Sequence, residues 1–250
     1  MTTRGDMNRL STAQREVVAM AQRDLVGMFA TMDLSRPERV RDALLEVVPL
    51  LVREYGAIAA TAAAEWYEQT RGTQVGGRYA ALLGDQADPA AVAGTVRWAA
   101  GHLWTEDPSQ TLTVVSGAIQ RYIRYAGRDT VSRNIGRDPR RPRWGRVPRG
   151  DNTCAFCEVM ASRGFVYLNQ RTAGGLGNDY HTGCGCEEVP EWDAEQHHIT
   201  GYDPDGMYDR YLKARAEAGS GDIHHITLVM RRQHPELYTD GVLEPEPEAA

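Results

Sequence analysis

The sequence predicts a mainly α-helical protein with a small α+β zinc-binding module and a disordered acidic C-terminal tail. Three observations carry that expectation. Apolar residues recur at helical spacing through roughly the first half of the chain. All four cysteines fall between Cys154 and Cys186. The chain closes on Glu244-Pro245-Glu246-Pro247-Glu248, too charged and too apolar-poor to fold.

The elements follow in order. Ser11-Thr12-Ala13-Gln14 has the form of a capping box, and Val17, Val18, Met20, Leu25, Met28, Phe29 and Met32 continue behind it at helical spacing. Ser35-Arg36-Pro37-Glu38 reads as a second helix start, with Ser35 at the N-cap and Pro37 in the first turn. Val40, Leu44, Val47, Val48, Leu51, Tyr55, Ile58, Ala62 and Trp66 then form a long stripe, expected to bend at Pro49 and to end at Arg71-Gly72. Asp88-Pro89 opens a third helix reaching about Leu103. Pro108-Ser109 opens a fourth, which buries Leu112, Val115, Ile119, Tyr122 and Ala126. A short helix over residues 158–162 and a short strand over 164–168 are expected next. A helix over residues 205–218 follows, and then a segment at 222–232 whose periodicity fits helix and strand equally. In domain terms this is a helical N-terminal region (1–108), a second domain (109–195) holding the zinc module at 150–190, a C-terminal helical segment (196–235) and an acidic tail (236–250).

The cysteines carry the chemistry. Cys154-Ala-Phe-Cys157 is joined through twenty-three residues to His181-Thr-Gly-Cys184-Gly-Cys186. A CxxC turn and an HxxCxC cluster supply thiolate and imidazole donors at the spacing a tetrahedral Zn²⁺ site uses. Five donors stand against four positions: Cys154, Cys157, His181 and one of Cys184 or Cys186, with Cys186 the better placed. Two disulfides would consume the same thiols, but they need an oxidising compartment, and Met1-Thr2-Thr3-Arg4-Gly5-Asp6 has no apolar signal-peptide core. A surplus of donors and no HExxH helix favour a closed, structural ion over a catalytic one.

The charge is uneven. The net charge is −6, and Lys213 is the sole lysine among 28 basic residues. Residues 121–149 hold ten arginines and two aspartates. Arg121, Arg124 and Arg128 share one helical face by their spacing, and Arg140, Arg141 and Arg143 follow in a Pro/Gly-rich stretch. Such a field attracts phosphates, and these six residues are the candidate nucleic-acid contacts. Pairing with the chain's own carboxylates is the equal alternative, because residues 187–250 hold fifteen Asp/Glu against five Lys/Arg. Trp144 reads as a core anchor. The pairs His197-His198 and His224-His225 read as surface.

One stretch resembles a known family. Arg146-Val147-Pro148, Thr153-Cys154-Ala155-Phe156-Cys157, Ala161-Ser162-Arg163-Gly164, Tyr167 and Tyr180-His181-Thr182-Gly183-Cys184-Gly185-Cys186 look like the head morphogenesis proteins of tailed phages. These are minor capsid proteins of the Mu protein F (MuF-like) type, here in the branch carried by phages of actinobacteria. The likeness covers roughly residues 109–193, and Gly185 stands where the family carries a polar or charged residue. The resemblance implies a low-copy, portal-associated virion protein in the phage head, passing through the host cytoplasm during assembly. Its implied partners are the portal and/or the major capsid protein, with packaged DNA as a further candidate.

No run of about twenty apolar residues exists, so no membrane partner is expected. No small-molecule site is evident: the glycine-rich stretch 174–177 lacks the Lys-Ser/Thr of a P-loop. No local motif marks a nucleophile and its base, so no catalysis is expected. Were the protein an enzyme, a capsid maturation protease or a zinc-clamped nuclease would be the alternative.

Overall fold

The computed structural model describes residues 1–149, 153–167, 186–193 and 199–238. Helices dominate them: α1 (Arg4–Phe29), α2 (Pro37–Val75), α3 (Pro89–Ala99) with a 3₁₀ turn (Ala100–Trp104), α4 (Gln110–Arg137), α5 (Ala155–Ala161), α6 (Pro204–Ala218) and α7 (Ile223–Gln233). Two strands, β1 (Arg143–Val147) and β2 (Glu187–Glu191), pair antiparallel. No helix among the described residues is long and apolar enough to cross a membrane.

Helix α1 starts seven residues before the expected box. Thr3 caps it by accepting from the Asp6 amide, and Asp6 returns the bond to Thr3, so the functioning capping box is Thr3-x-x-Asp6. Ser11 and Gln14 lie inside the helix and are buried, where Gln14 donates to the Ala59 carbonyl. The second cap also moves. Pro37 opens α2 behind Arg36, while the Ser35 hydroxyl donates to Asp33. Helix α2 then runs past Pro49 and Gly72 to Val75 and stops at Gly76, whose φ of 64° suits a residue without Cβ. The start of α3 falls where expected, at an Asp N-cap followed by Pro, with Asp88 accepting from Ala90; α6 opens one residue before the expected position, behind Asp203, which accepts from Gly206. The segment at 222–232 is helical, capped by Asp222 accepting from the His224 amide.

The main core joins α1, α2, α3 and α4 through Val18, Leu25, Leu44, Val48, Val96, Leu103, Val115 and Ile119. The boundary expected at 108/109 therefore runs through one packed core, and α4 belongs to the helical bundle. A second cluster links Leu10, Trp66 and Tyr67 of α1 and α2 to Val131 and Ile135 of α4 and to Trp144 and Tyr167. A third holds α5 against α6 and α7 through Val159, Tyr211, Ile226 and Met230. The acidic tail expected at 236–250 lies almost wholly outside the described residues. Only Glu236, Leu237 and Tyr238 are described. Tyr238 bridges to Thr153 and donates its hydroxyl to Glu158 at 3.1 Å.

The connection from α2 to α3 is pinned along α4 by side chains. Asn134 brackets Leu82 by accepting from its amide at 3.0 Å and donating to its carbonyl at 2.8 Å. Thr130 accepts from Gly84 and Asp129 from Asp85, while Arg137 donates to Ala80. A Cβ at Gly84 would stand 2.4 Å from the Thr130 amide nitrogen and 2.6 Å from the Asp129 carbonyl carbon, both backbone atoms. Gly84→Ala is therefore expected to lift this strap and destabilise the protein by about 1–3 kcal/mol, measured as a lowered denaturant midpoint with unchanged m.

Candidate metal centre and arginine cluster

Cys154 is the N-cap of α5. Its Sγ accepts from the Cys157 amide at 3.1 Å, so one amide of the first helical turn points at the first thiol. Cys186 stands immediately before β2, and the pairing of β2 with β1 brings it to the same place. Cys154, Cys157 and Cys186 form one buried cluster, with Phe156 packed against it. The Thr153 hydroxyl lies 3.4 Å from the Cys186 Sγ. Three of the five expected donors are thus brought together from segments about thirty residues apart.

In kind, these donors suit a thiophilic ion: buried thiols, a backbone amide directed at one sulfur and an aromatic wall. Among the described residues no group of three or more Cys, His, Asp or Glu is arranged to hold a metal by itself. His181 and Cys184, expected to complete the site, lie outside the described residues, as do His197 and His198. His224 and His225 sit exposed at the start of α7.

The arginines divide into two groups. Arg124 and Arg128 are each only 4% exposed, so the α4 face expected to meet phosphates turns inward beyond Arg121. Arg128 donates to the Cys186 carbonyl at 3.1 Å, just ahead of β2. Arg146, on β1, is fully buried with its guanidinium 5.6 Å from the Phe156 ring centroid. In the strand register Arg146 faces Glu188 and Arg143 faces Glu191, and Ser132 of α4 hydrogen-bonds the Glu188 carboxylate. Glu188 and Glu191 are thus the cross-strand neighbours of Arg146 and Arg143, and opposite charges at such positions favour this register. Arg133 pairs with Asp85 at 2.8 Å, and Arg149 donates to Ser11. Arg140, Arg141 and Arg143 are exposed, and Arg121 is half-buried. Trp144 is buried, its ring centroid 5.2 Å from that of Tyr167, as a core anchor should be.

A residue that sequence reasoning passes over ties this region to the bundle. Asp138, at the end of α4, accepts from Arg71 at 2.9 Å, Tyr67 at 3.1 Å and Trp192 at 3.0 Å, and its second oxygen from the Arg140 amide at 2.9 Å. Burial pushes its carboxyl up, but the Arg140 amide, Arg71 and Trp192 outweigh that and hold it below the usual value. Burial and the neighbouring Asp138 raise Tyr67, which stays protonated as a donor. The Arg71 and Arg137 guanidiniums lie 4.7 and 5.4 Å from the Tyr79 ring centroid. The only sequence sign of this hub is one aspartate inside an arginine run.

Comparison with known proteins adds two findings. The family model described as VG15 protein matches residues 1–214. The Gene 15 protein of Mycobacterium phage D29 is 30% identical over 122 aligned residues, covering 36% of this chain and 44% of that protein. The chain thus spans under half the length of this curated relative. No solved structure matches the chain.

Proposed function

The chain belongs to the VG15 protein family, and from that premise we propose that it is a structural minor capsid protein of the MuF-like head morphogenesis type, stabilised by one zinc ion. The gathering of Cys154, Cys157 and Cys186 is the observation that carries this reading. It occurs within the stretch that resembles the phage head proteins, and a relative encoded by a mycobacteriophage supports the same class. Cys154, Cys157 and Cys186 would supply three ligands and His181 the fourth, with Cys184 as the substitute donor. Bound there, zinc would supply a covalent staple between α5 and the β1–β2 ladder and no reaction step. The protein would act in the virion, near the portal vertex, after assembly in the host cytoplasm.

Contact with packaged DNA, if it is part of this role, falls to Arg140, Arg141, Arg143 and Arg121, because Arg124 and Arg128 are inside. Non-specific DNA binding should then weaken with salt at a slope near 0.9 per phosphate contacted. Arg140→Gln, Arg141→Gln and Arg143→Gln together should reduce that slope by about 2–3. An unchanged slope in a filter-binding titration would leave these arginines to protein contacts. The assembly role is tested by co-expressing the tagged chain with the portal protein and, separately, with the major capsid protein of the same phage. Capture of either supports the reading, and capture of neither overturns it.

A further inference from the structure

The bundle carries an open groove of about 520 Å³ between α3 and α4. Gly94, Thr95 and Trp98 line it from α3, and Val114, Ala118 and Arg121 from α4. Three of its properties are costly for a surface that meets only water. Trp98 is 68% exposed, the most of any large apolar residue described. Gly94 sits within an 11-residue helix, where glycine weakens the helix, and a Cβ built there meets nothing within 4 Å. The space above this position is open, so another backbone can approach it closely. Arg121 stacks on Tyr122 with its guanidinium 4.7 Å from the ring centroid and donates to the Tyr122 hydroxyl, and it pairs with no carboxylate among the described residues. No Asp or Glu lines the groove.

The floor is self-satisfied. The Tyr122 hydroxyl bonds Thr95 at 2.7 Å and the Ala91 carbonyl at 3.1 Å, so no polar group in it calls for a small polar ligand. Lining positions recur at i, i+4 and i+7 on α3 and on α4, leaving a trough between two ridges into which a third helix packs. We infer that this groove docks an α-helix of a partner protein that presents a large apolar side chain beside Trp98 and a carboxylate to Arg121. A phosphate backbone would find a single half-buried cation there, which favours a protein occupant over nucleic acid. The inference rests on the proposed assembly role and names the surface that performs it.

The test uses the full chain with the portal and major capsid proteins of its phage, comparing Gly94→Leu, Trp98→Ala and Arg121→Glu with the wild type. All three positions lie outside the core, and Gly94→Leu replaces a helix-weakening residue, so thermal midpoints should stay level or rise. Capture of the partner should fall tenfold or more for each variant. A photo-crosslinker at Val114 should mark one helix of the partner, and reversing a carboxylate on that helix to arginine should restore capture by Arg121→Glu. Wild-type capture that none of the three variants weakens overturns the groove and leaves the assembly role standing. Loss of self-association in light scattering, with partner capture intact, would also overturn it, since the occupant would be a second copy. Capture of neither protein by the wild type overturns both.

Discussion

Asp138→Ala is expected to destabilise the protein by about 3–5 kcal/mol, the cost of leaving a buried arginine without its partner. Arg71 is buried, and its guanidinium donates to Asp138. Tyr67 and Trp192 lose the same acceptor, so α2, the end of α4 and the exit from β2 come apart together. Asp138→Asn keeps the shape and removes the charge, and should cost less. The same pair sets an acid limit. Because the folded carboxyl titrates below its ordinary value, its stabilisation is fully present above the usual carboxylate range and is lost as the pH falls through the depressed folded value. Urea midpoints should therefore fall below about pH 4 in the wild type, and Asp138→Asn should flatten that fall. A parallel fall in both proteins would place the acid sensitivity elsewhere.

Cys157→Ser is the second large effect. On the proposed zinc reading it removes one of four ligands from a fully buried position. A structural zinc contributes on the order of 10 kcal/mol to the folding of small modules, so the loss should be regional and severe. Hydrogen exchange is expected to rise over residues 153–167 and 186–191, and through Glu158, which accepts from Arg210 at 2.6 Å, into α6. Helices α1 to α3 share their core with α4 and should keep their protection. Chelation of the wild type should reproduce the pattern. Full protection in Cys157→Ser, with no metal in the wild type, would show that packing alone closes the thiol cluster.

Much of the helical half is legible because its signals are local. The Asp88-Pro89 pair marks a helix start through capping and a preset φ, and it acts on its own neighbours. The same local logic misplaces α1. Ser11-x-x-Gln14 has the form of a box, yet both side chains are needed by other elements, Ser11 by Arg149 and Gln14 by Ala59. Thr3-x-x-Asp6 serves instead, with the shorter acid at the third position. The strands are not legible. Arg143-Trp-Gly-Arg-Val reads as a charged loop until Glu188 and Glu191, more than forty residues later, face its arginines. The expected strand at 164–168 reduces, among the described residues, to a single bridge between Tyr167 and Trp144.

At the site, the spacing of the cysteines announces that Cys154, Cys157 and Cys186 belong together. It does not announce that Arg128 holds the Cys186 carbonyl. Helical spacing alone places Arg121, Arg124 and Arg128 on one face. Which way that face points depends on β2 covering α4, a long-range contact that no local pattern encodes.

The central claim, that the chain is a structural component of a phage head, is tested most directly by quantitative mass spectrometry of purified virions of its phage, with tail-less heads from a tail mutant measured in parallel. The account predicts this protein at low, constant copy number per portal ring in both particles. Its absence from both, with abundant protein in the infected-cell lysate, would contradict it.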